Sequence, residues 1–345
     1  MLLSGFASAT DFSEVATRDK RILKRWSISG SPRGLAIGSD GILYVGLSEP
    51  QSVAAIDPET GRIVREVVLD DPDIASTKEL VTMRIAAGGK RLVVAHGSDE
   101  SVSILSLPEL GVIREITLEG EVIRDVIPDP AGRYLYVLGR QVYVYDFDGS
   151  NRLRSFGDID PMAIAINQSG SLLAIIGTEK FDHVDATVVA FHDTATMNEV
   201  AREPLQTDRR IVSATFAAGD RALVIAAPDW MAEKSLEARS QKGGPTASDL
   251  RMRIRFGDLM NSQRVCLPDG SGPQILAPGR SNSTVLFAEK RCSASTSFDA
   301  APRRVTLTSL YGIDAYALAF DPASSSIYAT DRKGFVTQYR MPESR

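Results

Sequence analysis

Four side chains within one short stretch could hold a hard cation: Glu179, Asp182, His183 and Asp185, in TEKFDHVDA at 178–186. Carboxylate oxygens suit such an ion, but a site needs three or four ligating groups converging on one point. Solvation of a charged loop produces the same clustering. The other two histidines stand apart, His96 near Asp99 and Glu100, and His192 beside Asp193. Neither offers an evident base to a serine nucleophile, there is no Gly-x-Ser-x-Gly turn, and Gly88-Gly89-Lys90-Arg91 lacks the frame of a phosphate loop. No catalytic residue is assigned, and no cofactor is expected beyond a metal ion at 179–185. Cys266 and Cys292 show no metal-ligand spacing. They are either two free thiols or one bridge formed in an oxidising compartment.

The remaining candidate is cationic. Arg33, Arg84 and Arg124 recur at corresponding places along the chain, where the other copies of the unit carry Met162, Ser213, Gln274 and Tyr316. Brought together, three guanidinium groups repel a divalent cation and attract a carboxylate, a phosphate or an acidic peptide tail. The plainer alternative is that each arginine pairs with a neighbouring acid such as Asp125 or points to water.

What places these residues in correspondence is a repeat. A unit of roughly 40 to 60 residues recurs about seven times, each copy with four short apolar strands parted by polar turns. The second strand carries the sharpest alternation, anchored by Leu43, Leu92, Leu135, Leu173, Leu223, Leu286 and Ile327. The first strand is small and aliphatic, as in GLAIG from Gly34 and ALAFD from Ala317, the pattern of a strand buried on both faces. Turns such as GSDG at 38–41 and DPAG at 129–132 are rich in residues that tolerate positive φ or preset a turn. The outermost strands, RIVREVVL at 62–69 and VIREITL at 112–118, mix charge with apolar residues, so one face is wet and the edge resists pairing with another chain. Four strands per unit at this period predict an all-β, seven-bladed β-propeller of antiparallel blades.

The last unit supplies only three strands before the chain stops at Arg345. The charged, β-branched segment Arg21–Ile28 at the other end matches the missing fourth, so the N-terminal strand is expected to close the last blade and remove two sheet edges. Binding is expected on the face that carries the loops between second and third strands, because loops on a rigid frame vary freely. The longest such loop is Pro228–Leu250. It reads as a short helix capped by Asp229 and stopped at Gly243-Gly244-Pro245, presenting Trp230 and Met231 to a partner or packing them back on its own blade. Removal of 231–244 is expected to leave the fold intact.

At ILYVGLSEPQSVAAIDPETGRIV (42–64) and RLVVAHGSDESVSILSLPELGVI (91–113) the chain resembles the YVTN-type β-propeller repeat. Asp57 sits where that repeat carries its aspartate, and Ser106 replaces it in the second copy. The resemblance implies secreted or cell-surface bacterial and archaeal proteins, some of them lactonases or subunits of quinoprotein dehydrogenases. The Trp-Asp dipeptide of tryptophan-aspartate repeats is absent.

With 345 residues, 43% of them hydrophobic, the chain has the composition of one large soluble repeat domain. A net charge of −5 lacks the basic surplus that a nucleic-acid partner requires. No stretch approaches the length of a membrane span. Residues 1–19 read as an N-terminal arm or the remnant of a signal peptide ending near Ala7-Ser8-Ala9, and 20–345 as the propeller. The reading is a monomeric, non-catalytic module, periplasmic, secreted or at the cell surface (otherwise cytoplasmic), that binds a protein or a small anionic ligand on its loop face. The alternative is a lactonase-like hydrolase or the propeller subunit of a periplasmic dehydrogenase.

Overall fold

A computed structural model describes residues 12–69, 80–96, 100–148, 150–181, 184–205, 210–217, 220, 222–227, 230–235, 260–263, 276–278, 284–289, 306–311 and 315–341. These residues run almost wholly as short strands. The chain begins with β1 (Phe12–Glu14) and β2 (Ile22–Ile28). Five four-stranded antiparallel sheets follow in sequence order. The first is β3 (Pro32–Ile37), β4 (Leu43–Ser48), β5 (Gln51–Asp57) and β6 (Arg62–Val68). The second is β7 (Leu80–Ile85), β8 (Arg91–His96), β9 (Ser101–Ser106) and β10 (Val112–Thr117). The third is β11 (Asp125–Pro128), β12 (Tyr134–Leu138), β13 (Val142–Asp146) and β14 (Arg152–Phe156). The fourth is β15 (Asp160–Ile166), β16 (Leu172–Phe181), β17 (Val184–Asp193) and β18 (Glu199–Pro204). The fifth is β19 (Ser213–Ala217), β20 (Ala222–Ala227), β21 (Trp230–Ser235) and β22 (Met260–Gln263). A three-stranded sheet comprises β23 (Leu276–Pro278), β24 (Thr284–Glu289) and β25 (Thr306–Tyr311). The last sheet joins the two ends of the chain: β26 (Ala315–Asp321), β27 (Ser326–Asp331) and β28 (Phe335–Arg340), then β2 and β1.

The seven second-strand anchors share one register. Leu43, Leu92, Leu135, Leu173, Leu223, Leu286 and Ile327 lie opposite Ile37, Ile85, Pro128, Ile166, Phe216, Ala277 and Phe320 of their first strands. Second strands β4 and β20 are buried along their whole length, whereas the fourth strands β6 and β10 are largely exposed. The reason is position: an inner strand is covered on both faces by neighbouring sheets, while the outer one lies at the rim.

The core is accordingly a series of wedges between adjacent sheets. Trp26, Val45, Ile56 and Tyr328 join the last sheet to the first, and Tyr44, Val53, Met83 and Leu92 join the first to the second. Further wedges link the second sheet to the third, the third to the fourth and the fourth to the fifth. Burying each large aliphatic side chain contributes about 2 kcal/mol. Contact is close enough to demand glycine at Gly34, where a Cβ would stand 2.4 Å from Cγ of Met83. The first strands also touch in order: β3 lies against β7, β7 against β11, then β15, β19, β23 and β26 in succession, and β26 lies against β3.

The aspartate in the repeat motif has a turn-forming role. Asp57 accepts the backbone N–H of Glu59 at 2.8 Å and the hydroxyl of Thr60 at 2.7 Å. Those bonds, Thr60's first, hold its carboxyl below the usual range. Ser106, at the corresponding place, does the same work through Oγ, which accepts the N–H of Gly111 at 3.1 Å. Both are side chains substituting for a backbone turn.

Three expectations are corrected. The segment from Trp230 is not a helix: Trp230–Ser235 is a strand paired with β20 and β22. Trp230 lies opposite Ala227, and cross-strand pairing outweighs the helical preference of the segment. The sixth sheet is not a four-stranded antiparallel meander among the described residues, because β25 pairs parallel with β24. Parallel pairing requires a crossover connection of about a dozen residues or more, and the long segment 290–305 between the strands is of that length. Finally, Phe12–Glu14, assigned to the N-terminal arm, forms a strand on the outer edge of β2, with Phe12 stacked on Trp26 at 5.7 Å.

Candidate functional site

In an antiparallel meander, the start of the first strand, the turn between the second and third, and the end of the fourth all lie at one end of the sheet. At that end four of the first strands share a local irregularity. The pairing slips by one residue at Arg33 in β3, Val81 in β7, Met162 in β15 and Tyr316 in β26. A bulge of this kind bends the strand and re-aims the extra side chain. Arg33 and Tyr316 are therefore placed by the same device in sheets that touch. The Arg33 guanidinium lies 3.9 Å from the centre of the Tyr316 ring, and that of Arg332, from the turn between β27 and β28, lies 5.4 Å away. Two cations share one ring, an arrangement favoured by the ring's negative face.

Arg124, immediately before β11, occupies the corresponding level of the third sheet. It donates to the carbonyl of Gly139 and stands 3.8 Å from the exposed carboxylate of Asp160. Burial draws its guanidinium below the ordinary range, Asp160 opposes that shift, and the nearby Arg210 reinforces it. Arg210 precedes β19 at the same end and is exposed.

Several acids in this region are already engaged. Glu121 accepts the Tyr143 hydroxyl at 2.6 Å and the N–H of Arg140 at 2.8 Å. Asp331 accepts the N–H groups of Lys333 and Phe335 through Oδ1, and its Oδ2 meets Arg25 at 3.3 Å.

Arg84 does not belong to this layer. It sits three residues beyond the bulge, deeper along β7, where it meets Asp125 at 3.3 Å and Thr82 at 3.2 Å. The expectation that Arg33, Arg84 and Arg124 are equivalent therefore fails for Arg84, because the bulge sets the count and Val81 takes the place. Asp125 is buried, and burial pushes its carboxyl up to about 6 despite the attraction of Arg84. Ser213 lies one residue past the equivalent of Arg33, and Gln274 is outside the described residues.

Of the four expected cation ligands, Glu179 and Asp185 are among the described residues. Glu179 is held by Arg202 at 2.8 Å, and the same guanidinium also meets Asp158 and Glu199. Asp185 lies opposite Lys180 in the ladder, and Asp182 and His183 fall outside the described residues. Among the described residues no three His, Cys, Asp or Glu side chains form a group that could hold a metal ion. Trp230 and Met231 open β21, opposite Ala227 and Ala226. Cys266 and Cys292 lie outside the described residues.

Sequence reasoning missed Arg332 and Arg210. The first lies in the last unit's turn between second and third strands, a position the repeat made available for inspection. It also missed that His96 and Ser103, both buried, meet at 2.9 Å between Nε2 and Oγ.

No family model matches the chain, and no curated protein matches it. Among solved structures it is similar to the β-propeller domain of Cps50 (Swd1) from Myceliophteria thermophila, at 12% identity and a TM-score of 0.65, over 96% of this chain and 100% of that one. It is also similar to hydrazine synthase from Kuenenia stuttgartiensis, at 14% identity and a TM-score of 0.62, over 91% and 96% of the two chains. At such identities the likeness is one of fold, and the fold is a β-propeller. Among the described residues no helix is long and apolar enough to cross a membrane.

Proposed function

We propose that this protein is a non-catalytic, seven-bladed propeller that binds an anionic group, on a protein segment or a small ligand, at the mouth of its central channel. The observation that carries the reading is the pair of guanidinium groups, Arg33 and Arg332, on the Tyr316 ring, with Arg124 and Arg210 at the same end. Guanidinium groups recognise carboxylates and phosphates through paired N–H donors, and a partly desolvated site strengthens the interaction. The count of seven blades is supported by the succession of first-strand contacts that returns from β26 to β3. Closure by the N-terminal strand is supported by the pairing of β2 with β28, Trp26 opposite Val336.

Membership of the YVTN-type family, and with it an extracytoplasmic location, belongs to the same reading and rests on the second- and third-strand motif. A lactonase-like or dehydrogenase-subunit role asks for acid–base or metal groups converging near the axis. Asp125, the acid seated on β11, is instead engaged by Arg84, which favours the binding role.

The test is titration of the protein with a fluorescent hexaglutamate peptide, with hexalysine as control. The reading expects saturable binding of the acidic peptide alone, weakened at least about fivefold by Arg33→Gln with Arg332→Gln and weakened by salt. Equal binding of both peptides, or no change in the variant, would refute it.

A further inference from the structure

The fourth strands carry a bulge of their own, toward the end of each sheet away from the mouth. In β2, β6, β10, β14 and β18 the pairing slips by one residue, each time just after the partner of the third strand's second-last residue. The extra residue is Leu23, Val64, Ile113, Leu153 and Val200 in turn, aliphatic in all five. A bulge re-aims the residue it inserts. Val200 is partly buried, packed on the wedge between the fourth and fifth sheets. Leu23, Val64, Ile113 and Leu153 are 41, 53, 47 and 52% exposed. One exposed aliphatic side chain needs no explanation, but the same placement in four neighbouring sheets does. Those sheets, the last, first, second and third, are joined wedge to wedge.

Charge follows the same arc. A base comes directly after each of the four exposed residues: Lys24, Arg65, Arg114 and Arg154, whereas Ala201 follows Val200. The strands β2, β6, β10 and β14 carry seven basic and two acidic residues, in a chain of net charge −5. In β18 the balance reverses, with Glu199 and Glu203 against Arg202. Lys24 donates to the carbonyls of Pro58 and Glu59, and Arg114 to the Ser150 hydroxyl at 3.3 Å, uncharged acceptors that leave both cations in place. In the ring proposed above these outer strands follow a convex arc. A flat membrane touches such an arc at one or two sheets, and a second copy would set its cations against these. An extended chain can follow all four.

We infer that this arc of the outer rim docks an extended segment of a partner protein, one in which apolar residues are interspersed with acids. Its apolar side chains cover Leu23, Val64, Ile113 and Leu153, and its carboxylates meet the bases beside them. The surface is separate from the mouth and does not depend on it.

The experiment uses the full chain and labelled peptides built from Leu-Glu-Pro-Glu repeats, followed by fluorescence anisotropy. A peptide of about 24 residues reaches roughly 75 Å when extended, and a set of shorter ones gives a length series. A control peptide has every leucine changed to serine and keeps the charge, so it reports binding through carboxylates alone, the mouth included. The inference expects the long leucine peptide to bind at least about tenfold tighter than the long serine peptide. It should also bind at least about tenfold tighter than an eight-residue leucine peptide, because contacts with successive sheets become intramolecular. Val64→Thr with Ile113→Thr and Leu153→Thr should erase the advantage of leucine over serine. Threonine keeps the strand preference at these exposed positions, and circular dichroism checks the fold.

If the leucine and serine peptides bind wild type alike, or the triple variant keeps the leucine advantage, the rim does not dock such a segment. If affinity does not rise with length, a single side chain is read and the arc is overturned. Should vesicles of phosphatidylcholine and phosphatidylserine hold the protein through the same three side chains while the peptide does not, the occupant is a lipid surface and the inference fails. It fails equally if sedimentation shows a dimer that the triple variant loses.

Discussion

Two buried titratable groups should give the stability of this protein opposing dependences on pH. Asp125 titrates near 3.8 when unfolded and about 6 when folded. Between those values the folded protein retains a proton that the unfolded chain has released, so this group's contribution falls as pH rises from about 4 to about 6 and stays lost above. Wild type should therefore lose up to about 3 kcal/mol more than Asp125→Asn between pH 4 and 7, measured by urea unfolding. Identical losses would mean that the carboxyl titrates normally. His192 works the other way. It is buried against Phe156 at 4.3 Å, and neither ring nitrogen has a hydrogen-bond partner among the described residues. Burial holds its pKa below the ordinary 6.5, although Glu199 and Asp158 pull it up, while Arg202 and Arg154 push it down. The unfolded chain therefore binds the proton first, and stability present above pH 6.5 is lost as pH falls below it. His192→Phe should be at least as stable as wild type at pH 7.5 and gain on it at pH 5.5, because an apolar ring leaves no polar nitrogen unpaired. A loss at both values would mean that His192 has a hydrogen-bonding role. At Gly170, φ is +71° and a Cβ would lie 2.3 Å from Oδ1 of Asp129. That carboxylate is pinned by Arg133 at 2.7 Å, and Arg133 in turn donates to the Gly170 carbonyl. Gly170→Ala should cost about 1–3 kcal/mol, and an unchanged urea midpoint would refute the close packing.

At the scale of elements, strand type and position in the unit were readable because each depends on local alternation and turn chemistry. Leu43 and its six counterparts alternate with residues on the opposite face, and Asp57 starts a turn that its own side chain completes. What the alternation does not encode is pairing direction and register. Nothing in Thr306–Tyr311 says that it will run parallel to β24, because a strand's residues look the same either way round. The bulges at Arg33 and Tyr316 are similarly silent, because one extra residue leaves composition unchanged. Trp230–Ser235 failed for another reason. Its Met, Ala, Glu and Lys are strong helix formers, and pairing with β20 overrides that preference. Removal of 231–244, harmless if this were a surface helix, would delete most of β21 and leave β22 without its partner. That variant should melt well below wild type or fail to fold, and an unchanged melting temperature would restore the loop reading.

At the scale of the molecule the two ends of the chain depend on each other. The last sheet takes three strands from the C-terminal end and two from the N-terminal end, so no linear segment contains it. Trp26 and Ile28 from β2 are fully or almost fully buried, in the same wedge as Val45, Ile56 and Val336. Lys24 adds a tie to the first sheet by donating to the carbonyls of Pro58 and Glu59. Removing residues 1–29 therefore exposes the edge of β28 and opens the wedge on the first sheet. Losing Trp26 alone would cost about 3–5 kcal/mol, a large part of the stability of an ordinary domain. The truncated protein should melt far below full length, and a synthetic peptide spanning 12–29 should raise its melting temperature by refilling the wedge. The peptide with Trp26→Ala should not. If truncation leaves the melting temperature unchanged, β2 adds nothing measurable to the stability of the fold. If truncation lowers it and the peptide fails to restore it, β2 forms its pairing only as part of the continuous chain.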